Sequence, residues 1–522
     1  MDIPGKLLFL LHAHLPFVRE PKHERFLEEN WLFEAISETY LPLIQVLNRL
    51  LEKGLPGVLN LSLSPTLIEM CQDPLLIHRY SKHLYMQLEL IEKEMFLLKK
   101  DSQKMVVLRY YLQRQKSLIH TWENTCQKNL ISTFIKMEEL GILTILTCVG
   151  THPFLPAYQS DLESIRFQLK VTVASYKKAF GRNPKGLWLP ECGYFEGLDF
   201  ILKEFGFEYF FLETHGILFA EPAPQYGVFS PIKTPAGLYC MGRDQKSSAE
   251  VWSRKTGYPG HPEYREFFKD IAFERDRDYL GEYFFAENTP IETGLKYNRI
   301  TGSEQKQVYR PWNAMRLAQN HANLFISNRE ASFTDLFPHT KGHQAAILSP
   351  YDAELFGHWW FEGPIFIENL FERAAASPIL ELASVEEVMR SPLSSTVHKP
   401  VFSSWGEGGY SHVWMNEKVQ SFYSQFFTMQ AFFRNTHSLK PSVLLKRIQT
   451  QMMREILLFQ ASDWAFMVHN GSADAYAKSR FQEHYENVLK LYDLTRSKEP
   501  DLKLLETMEN KNNLFAWIGE LF

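Results

Sequence analysis

An α/β fold organised around a barrel-like parallel sheet is what the sequence predicts, on three observations. Short apolar runs recur along the chain, each closes on a polar or aromatic cluster, and helical stretches separate them. KLLFLL leads into His12-Ala13-His14, GVLNLSLS into Pro65-Thr66, and LTILTCVG into Thr151-His152-Pro153. GLWL leads into Pro190-Glu191-Cys192, EYFFLE into Thr214-His215, and AAILS into Pro350-Tyr351-Asp352. Runs of this length without alternation suit strands buried on both faces of a parallel sheet. In barrels the chemistry collects at the C-terminal ends of the strands, where the His, Glu and Asp clusters fall here.

The runs are unevenly spaced. Residues from about 74 to 141 read as long amphipathic helices (LIHRYSKHLYMQLELIEKEMFLLKK, then KMVVLRYYLQRQKSLIHTW), more than one crossover needs. This predicts a helical insertion on the barrel. From about Asn416 onward helix follows helix without an intervening strand, which predicts a separate all-α module.

Composition narrows the function. The 522 residues carry 56 basic and 61 acidic side chains, a net charge of −5, with no basic stripe. A nucleic-acid partner is therefore not expected, and a neutral substrate is. Aromatic residues make up 14%, including 11 Trp, enough for flat apolar walls against sugar faces once the core is filled. The five cysteines are scattered and lack CxxC spacing, which points to a reducing compartment without disulfides. The apolar run Leu7–Leu11 is too short for a secretory core, and no stretch is long enough to span a bilayer. A cytoplasmic protein with no membrane partner is expected.

Two carboxylates stand out. Glu191 lies in WLPECGY and Asp352 in SPYDAELFGHWWFEG, 352 − 191 = 161 residues later, each at a predicted strand end. Two carboxyl groups facing across a pocket are the minimum equipment for splitting a glycosidic bond, though each motif alone also fits a capped turn or a buried ion pair. His12-x-His14 raises a metal-dependent alternative, a carbohydrate deacetylase or mannosidase. No HExxH-like third motif accompanies it, so no metal is expected. His12 is expected to meet substrate and His14 to support the turn. Trp359-Trp360, Trp405, Trp414, Trp464 and Trp252, which follows Arg243-Asp244, each fit a core individually. Their proximity to carboxylates and glycines favours sugar stacking.

Taken together, these motifs resemble glycoside hydrolase family 57 over essentially the whole chain. HAHLPF resembles the family's first motif, and GILTILTCVGTHPFLP occupies the place of the second. WLPECGY resembles the third and SPYDAELFGHWWFEG the fourth. The resemblance implies an incomplete (β/α)7 barrel over residues 1–400 and an α-helical C-terminal domain over 401–522. It implies Glu191 as nucleophile and Asp352 as general acid/base, with no cofactor. His12, Trp252, Trp405 and Trp414 would line the donor site, joined by His152, Arg243, Asp463 and Trp464. The expected activity is 1,4-α-glucan branching on glycogen or amylose, with an α-amylase using the same residues as the alternative. Family branching enzymes often carry a water-excluding loop between the nucleophile and the donor-site Trp. Here that interval is only 252 − 191 = 61 residues, so appreciable hydrolysis is expected beside transfer. Asp352, which must start protonated, is expected to titrate above Glu191.

Overall fold

The computed structural model describes residues 5–253, 256–285, 289–341 and 343–521. Its centre is one curled sheet, ordered β10-β1-β2-β3-β4-β5-β7-β6. The strands are β1 (Gly5–Ala13), β2 (Leu59–Leu63), β3 (Leu143–Cys148), β4 (Gly186–Trp188), β5 (Tyr209–Leu212), β6 (Ile232–Lys233), β7 (Tyr239–Gly242) and β10 (Ala346–Asp352). All neighbours pair in parallel except β6 with β7, and β11 (Leu380–Leu382) adds a short parallel pairing at the start of β1. A two-stranded ribbon, β8 (Phe284–Phe285) with β9 (Thr289–Pro290), lies outside the sheet. Seven parallel strands with an unlaced seam make an incomplete (β/α)7 barrel. Across the seam, Asp244 N–H, just past β7, donates to the Leu348 carbonyl of β10 at 2.9 Å.

The continuous apolar runs become strands because both their faces are covered. Alternate residues enter two different cores, as the pleat requires. Leu8 and Leu10 join Leu146, Trp188, Phe211, Met241 and Leu348 inside the barrel. Leu7, Phe9 and Leu11 face the surrounding helices. Register then sets the site, because β1 pairs His12 with Asp352 on one side and with Ser62 on the other.

Residues 74–141 contain the helices Pro74–Leu97, Ser102–His120 and Leu130–Glu139. Asp73 and Asp101 cap the first two by accepting from exposed first-turn amides, and Pro74 occupies a position whose amide would have no helical partner. The C-terminal region packs the helices Gln420–Thr436, Val443–Phe459, Ser462–Asn470, Asp474–Arg496 and Leu502–Lys511 around buried Trp464, Phe459 and Phe481. No helix among the described residues is long and apolar enough to cross a membrane.

Gly357 is an obligatory glycine. It sits at φ +133°, and a Cβ there would lie 1.9 Å from the Glu38 carbonyl oxygen. The tight turns of 353–363 depend on it. Gly357→Ala should cost about 3 kcal/mol or more and lower the melting temperature, as seen by calorimetry. A wild-type melting temperature would show that the turn yields easily.

Candidate active site

A cavity of about 440 Å³ opens at the C-terminal ends of the strands. It is lined by Glu191, Asp352, His12, His14, His152, Arg243, Trp252, Trp405 and Asp463, among others. Eight of the ten residues singled out from the sequence therefore meet at one place.

Glu191 projects from the turn after β4 in a left-handed conformation (φ 58°, ψ 22°), and Cys192 follows at φ 50°. His152, after β3, is left-handed as well (φ 61°). Non-glycine residues adopt this region at a cost, so surrounding bonds must hold them there. They do. Trp405 N–H donates to the Glu191 carbonyl at 2.8 Å, and Ser462 N–H donates to the His152 carbonyl at 2.9 Å.

A directed hydrogen-bond chain ends on Glu191. The Ser462 hydroxyl donates to Glu191 Oε1 at 2.8 Å, which leaves its oxygen to accept from His152 Nδ1 at 2.8 Å. His152 Nε2 then accepts from His12 Nε2 at 3.0 Å, and His12 Nδ1 faces the Ser62 hydroxyl at 3.2 Å. The chain needs both imidazoles neutral. Burial secures this by pushing each of them well below the ordinary histidine range. Ser462→Ala should lower kcat/KM by about tenfold or more, since hydrogen bonds to charged groups contribute about 1.5–3 kcal/mol. The kinetic pKa of Glu191 should rise, because the lost bond favoured the ionised form. A pH–rate profile with an unmoved acid limb would sink this reading.

Both carboxyls titrate high. Burial is the main cause for each, raising Glu191 to about 8 and Asp352 to about 7. The expected order, with Asp352 above Glu191, is not met in the ligand-free protein. The negative charges of Asp352 and Asp463 add to the burial of Glu191, whereas His14 and Arg243 partly offset that of Asp352. A further carboxyl in the cavity, Glu354, is also raised by burial, to about 8, and accepts a hydrogen bond from the Tyr40 hydroxyl.

His14 lines the cavity in addition to tying together the turns around it. Just past the end of β1, it lies beside His12 in the cavity wall. Its Nδ1 meets Ser64 Oγ at 2.8 Å and its Nε2 meets Asp463 Oδ2 at 3.0 Å. Among the described residues two triads lie close enough to hold a cation, His12 with Cys148 and His152, and His14 with His152 and Asp463. Every ring nitrogen in them is already engaged in a hydrogen bond. Chelation is therefore expected to leave activity intact. Full loss on EDTA, restored by zinc or manganese, would make this cluster a metal centre.

The tryptophans divide. Trp405 and Trp252 line the cavity edge-to-face, centroids 6.3 Å apart, and Arg243, paired with Glu213 at 2.6 Å, lies over the Trp405 ring at 5.5 Å. Trp414 is fully buried and stacks on Phe154 at 4.9 Å. Trp464 is fully buried too, its indole N–H donating to the Leu458 carbonyl at 2.8 Å. Neither of these two lines the cavity. They anchor the loop and the helix that deliver Trp405, Ser462 and Asp463. Trp359, one of the tryptophans whose sequence setting favours sugar stacking, does line the cavity, whereas Trp188 and Ser462 are additions of the structure.

An open α/β barrel whose strand ends hold two partly buried carboxyls among indole rings has the equipment of a carbohydrate-active enzyme. Comparison with known proteins agrees. Residues 8–339 match the glycosyl hydrolase family 57 profile, and residues 428–521 match the C-terminal profile of 1,4-alpha-glucan branching enzymes. The chain belongs to glycosyl hydrolase family 57. A 1,4-alpha-glucan branching enzyme of Thermococcus kodakarensis is 30% identical over 98% of this chain and 77% of its own length. The alpha-amylase AmyC of Thermotoga maritima superposes with TM-score 0.89 at 36% identity, covering 98% of both chains. The family 57 branching enzyme of Pyrococcus horikoshii superposes with TM-score 0.86 at 29% identity, covering 98% and 96%.

Proposed function

We propose that this protein is a retaining 1,4-α-glucan branching enzyme that cleaves an α-1,4 bond and rejoins the chain to a 6-hydroxyl of glycogen or amylose. The observation that carries the reading is the partly buried Glu191 and Asp352 pair in one aromatic-walled cavity, in a chain that also matches the branching-enzyme C-terminal profile.

In this reading Glu191, oriented by Ser462, attacks the anomeric carbon while Asp352 donates its proton to the departing glycosidic oxygen. The C–O bond breaks as the glycosyl ester on Glu191 forms. Asp352, now ionised, then takes the proton of the incoming hydroxyl, whose oxygen displaces Glu191 with a second inversion. Positive charge growing at the anomeric centre favours ionised Glu191, so with substrate bound the proton sits on Asp352. The proposed location is the cytoplasm, supported by five buried cysteines without a disulfide.

A second reading, α-amylase with water as acceptor, is favoured by the likeness to AmyC. Incubation with amylose distinguishes them. Branching yields new α-1,6 links, counted with a debranching enzyme, beside some new reducing ends. Accumulation of reducing ends with no α-1,6 links would leave the amylase reading standing.

A further inference from the structure

Trp359 is an exposed aromatic held unusually firmly. It lines the cavity yet is 54% exposed, a large apolar surface that folding leaves in water. Phe267 stacks on it, centroids 4.3 Å apart and planes 19° from parallel. Lys296 Nζ, itself buried and paired with Glu292 at 2.8 Å, lies 4.4 Å from the Phe267 centroid. His358 abuts both rings edge-on and is fixed through Nδ1 to Glu38 at 2.9 Å. With one indole face covered by Phe267, the exposure lies on the remaining face and the edges. Phe268, 74% exposed, stands edge-on to Phe267 at 5.0 Å and extends the apolar surface outward.

Position gives this surface a direction. Trp359 lies 359 − 352 = 7 residues beyond Asp352 on the same strand-end connection, whereas Trp405 donates its amide to the Glu191 turn. A general acid serves the leaving-group side of the scissile bond, and the acceptor later enters from that side. We propose that Trp359, clamped by Phe267 and flanked by Phe268, is the acceptor-side platform on which glucosyl rings of an α-1,4-glucan stack. The inference rests on the glucan reading above. A pyranose presents apolar C–H faces that match a flat indole, and the clamp orders the ring before a chain arrives, which lowers the entropic cost of binding. Continuity with the cavity makes a glucan chain, rather than a protein, the occupant.

The test uses the full-length chain carrying Glu191→Gln, with maltoheptaose as probe in calorimetric titration. Adding Trp359→Ala should weaken Kd by about tenfold, and adding Phe268→Ala should weaken it less but in the same direction. In the otherwise wild-type background, Trp359→Ala should also lower the ratio of α-1,6 links to new reducing ends by about fivefold. Melting temperatures verify folding, and Phe268→Ala, altering a mostly exposed side chain, remains a test if Trp359→Ala unfolds. If the parent enzyme forms no α-1,6 links, the branching reading fails, yet weakened maltoheptaose binding would still support the platform. Unchanged Kd in both variants would overturn it.

Discussion

Replacing Glu191 by Gln or Ala should lower amylose turnover by about four orders of magnitude, near 5.5 kcal/mol of barrier, because no covalent intermediate can form. The Ala variant also tests stereochemistry. Azide entering the vacated space attacks from the face Glu191 occupied and should give a β-glycosyl azide, the product of one inversion. An α-product, or residual turnover near wild type, would remove Glu191 from its role. Stability should move the opposite way. The Glu191 carboxyl rises from an ordinary value near 4.5 to about 8 on folding, so it favours the fold below the lower value. That contribution fades as pH rises through about 8. Gln removes the titration, so the melting temperature of Glu191→Gln should exceed that of wild type by more at pH 8.5 than at pH 5. An equal difference at both pH values would mean that the carboxyl does not titrate between them.

Asp352→Asn is the second large effect. A sugar alkoxide leaves poorly without a proton, so glycosidic cleavage should fall about 10²–10⁴-fold. A maltosyl fluoride donor needs no such proton and should lose far less in the first step. The second step, now without its base, becomes slow, and the glycosyl ester on Glu191 should accumulate and be detectable by mass spectrometry. The alkaline limb of the wild-type kcat/KM profile should flatten in the variant. In wild type that limb reports loss of the proton that burial holds on the pair, with Asp352 raised to about 7. Equal losses on amylose and fluoride, with no adduct, would assign the proton transfer elsewhere. Glu354, also buried in the cavity, is then the next candidate.

The sequence by itself determined the barrel and the identity of its chemical groups. Apolar runs without alternation, such as those of β1 and β3, can be satisfied only where both faces are covered, and that condition implies a parallel sheet wrapped by helices. The clusters closing those runs mark Glu191, Asp352, His12 and His152 at strand ends. The helical stretches at 74–141 and after Asn416 were equally legible, because 3.6-residue periodicity is a local property.

Tertiary structure decided what depends on contacts between distant segments. Trp405 and Trp414 occur nine residues apart and read alike in sequence, yet one faces the cavity and the other stacks on Phe154. Ser462 reaches Glu191 across 271 positions because the C-terminal helix is bonded to His152, a contact that no local pattern encodes. The clamp on Trp359 comes from Phe267, in the irregular segment between Trp252 and Pro311, where the chain shows no period to read. The order of proton affinities was likewise beyond sequence. It depends on how deeply each carboxyl is buried and which charges surround it, and both are set by packing rather than by neighbours along the chain.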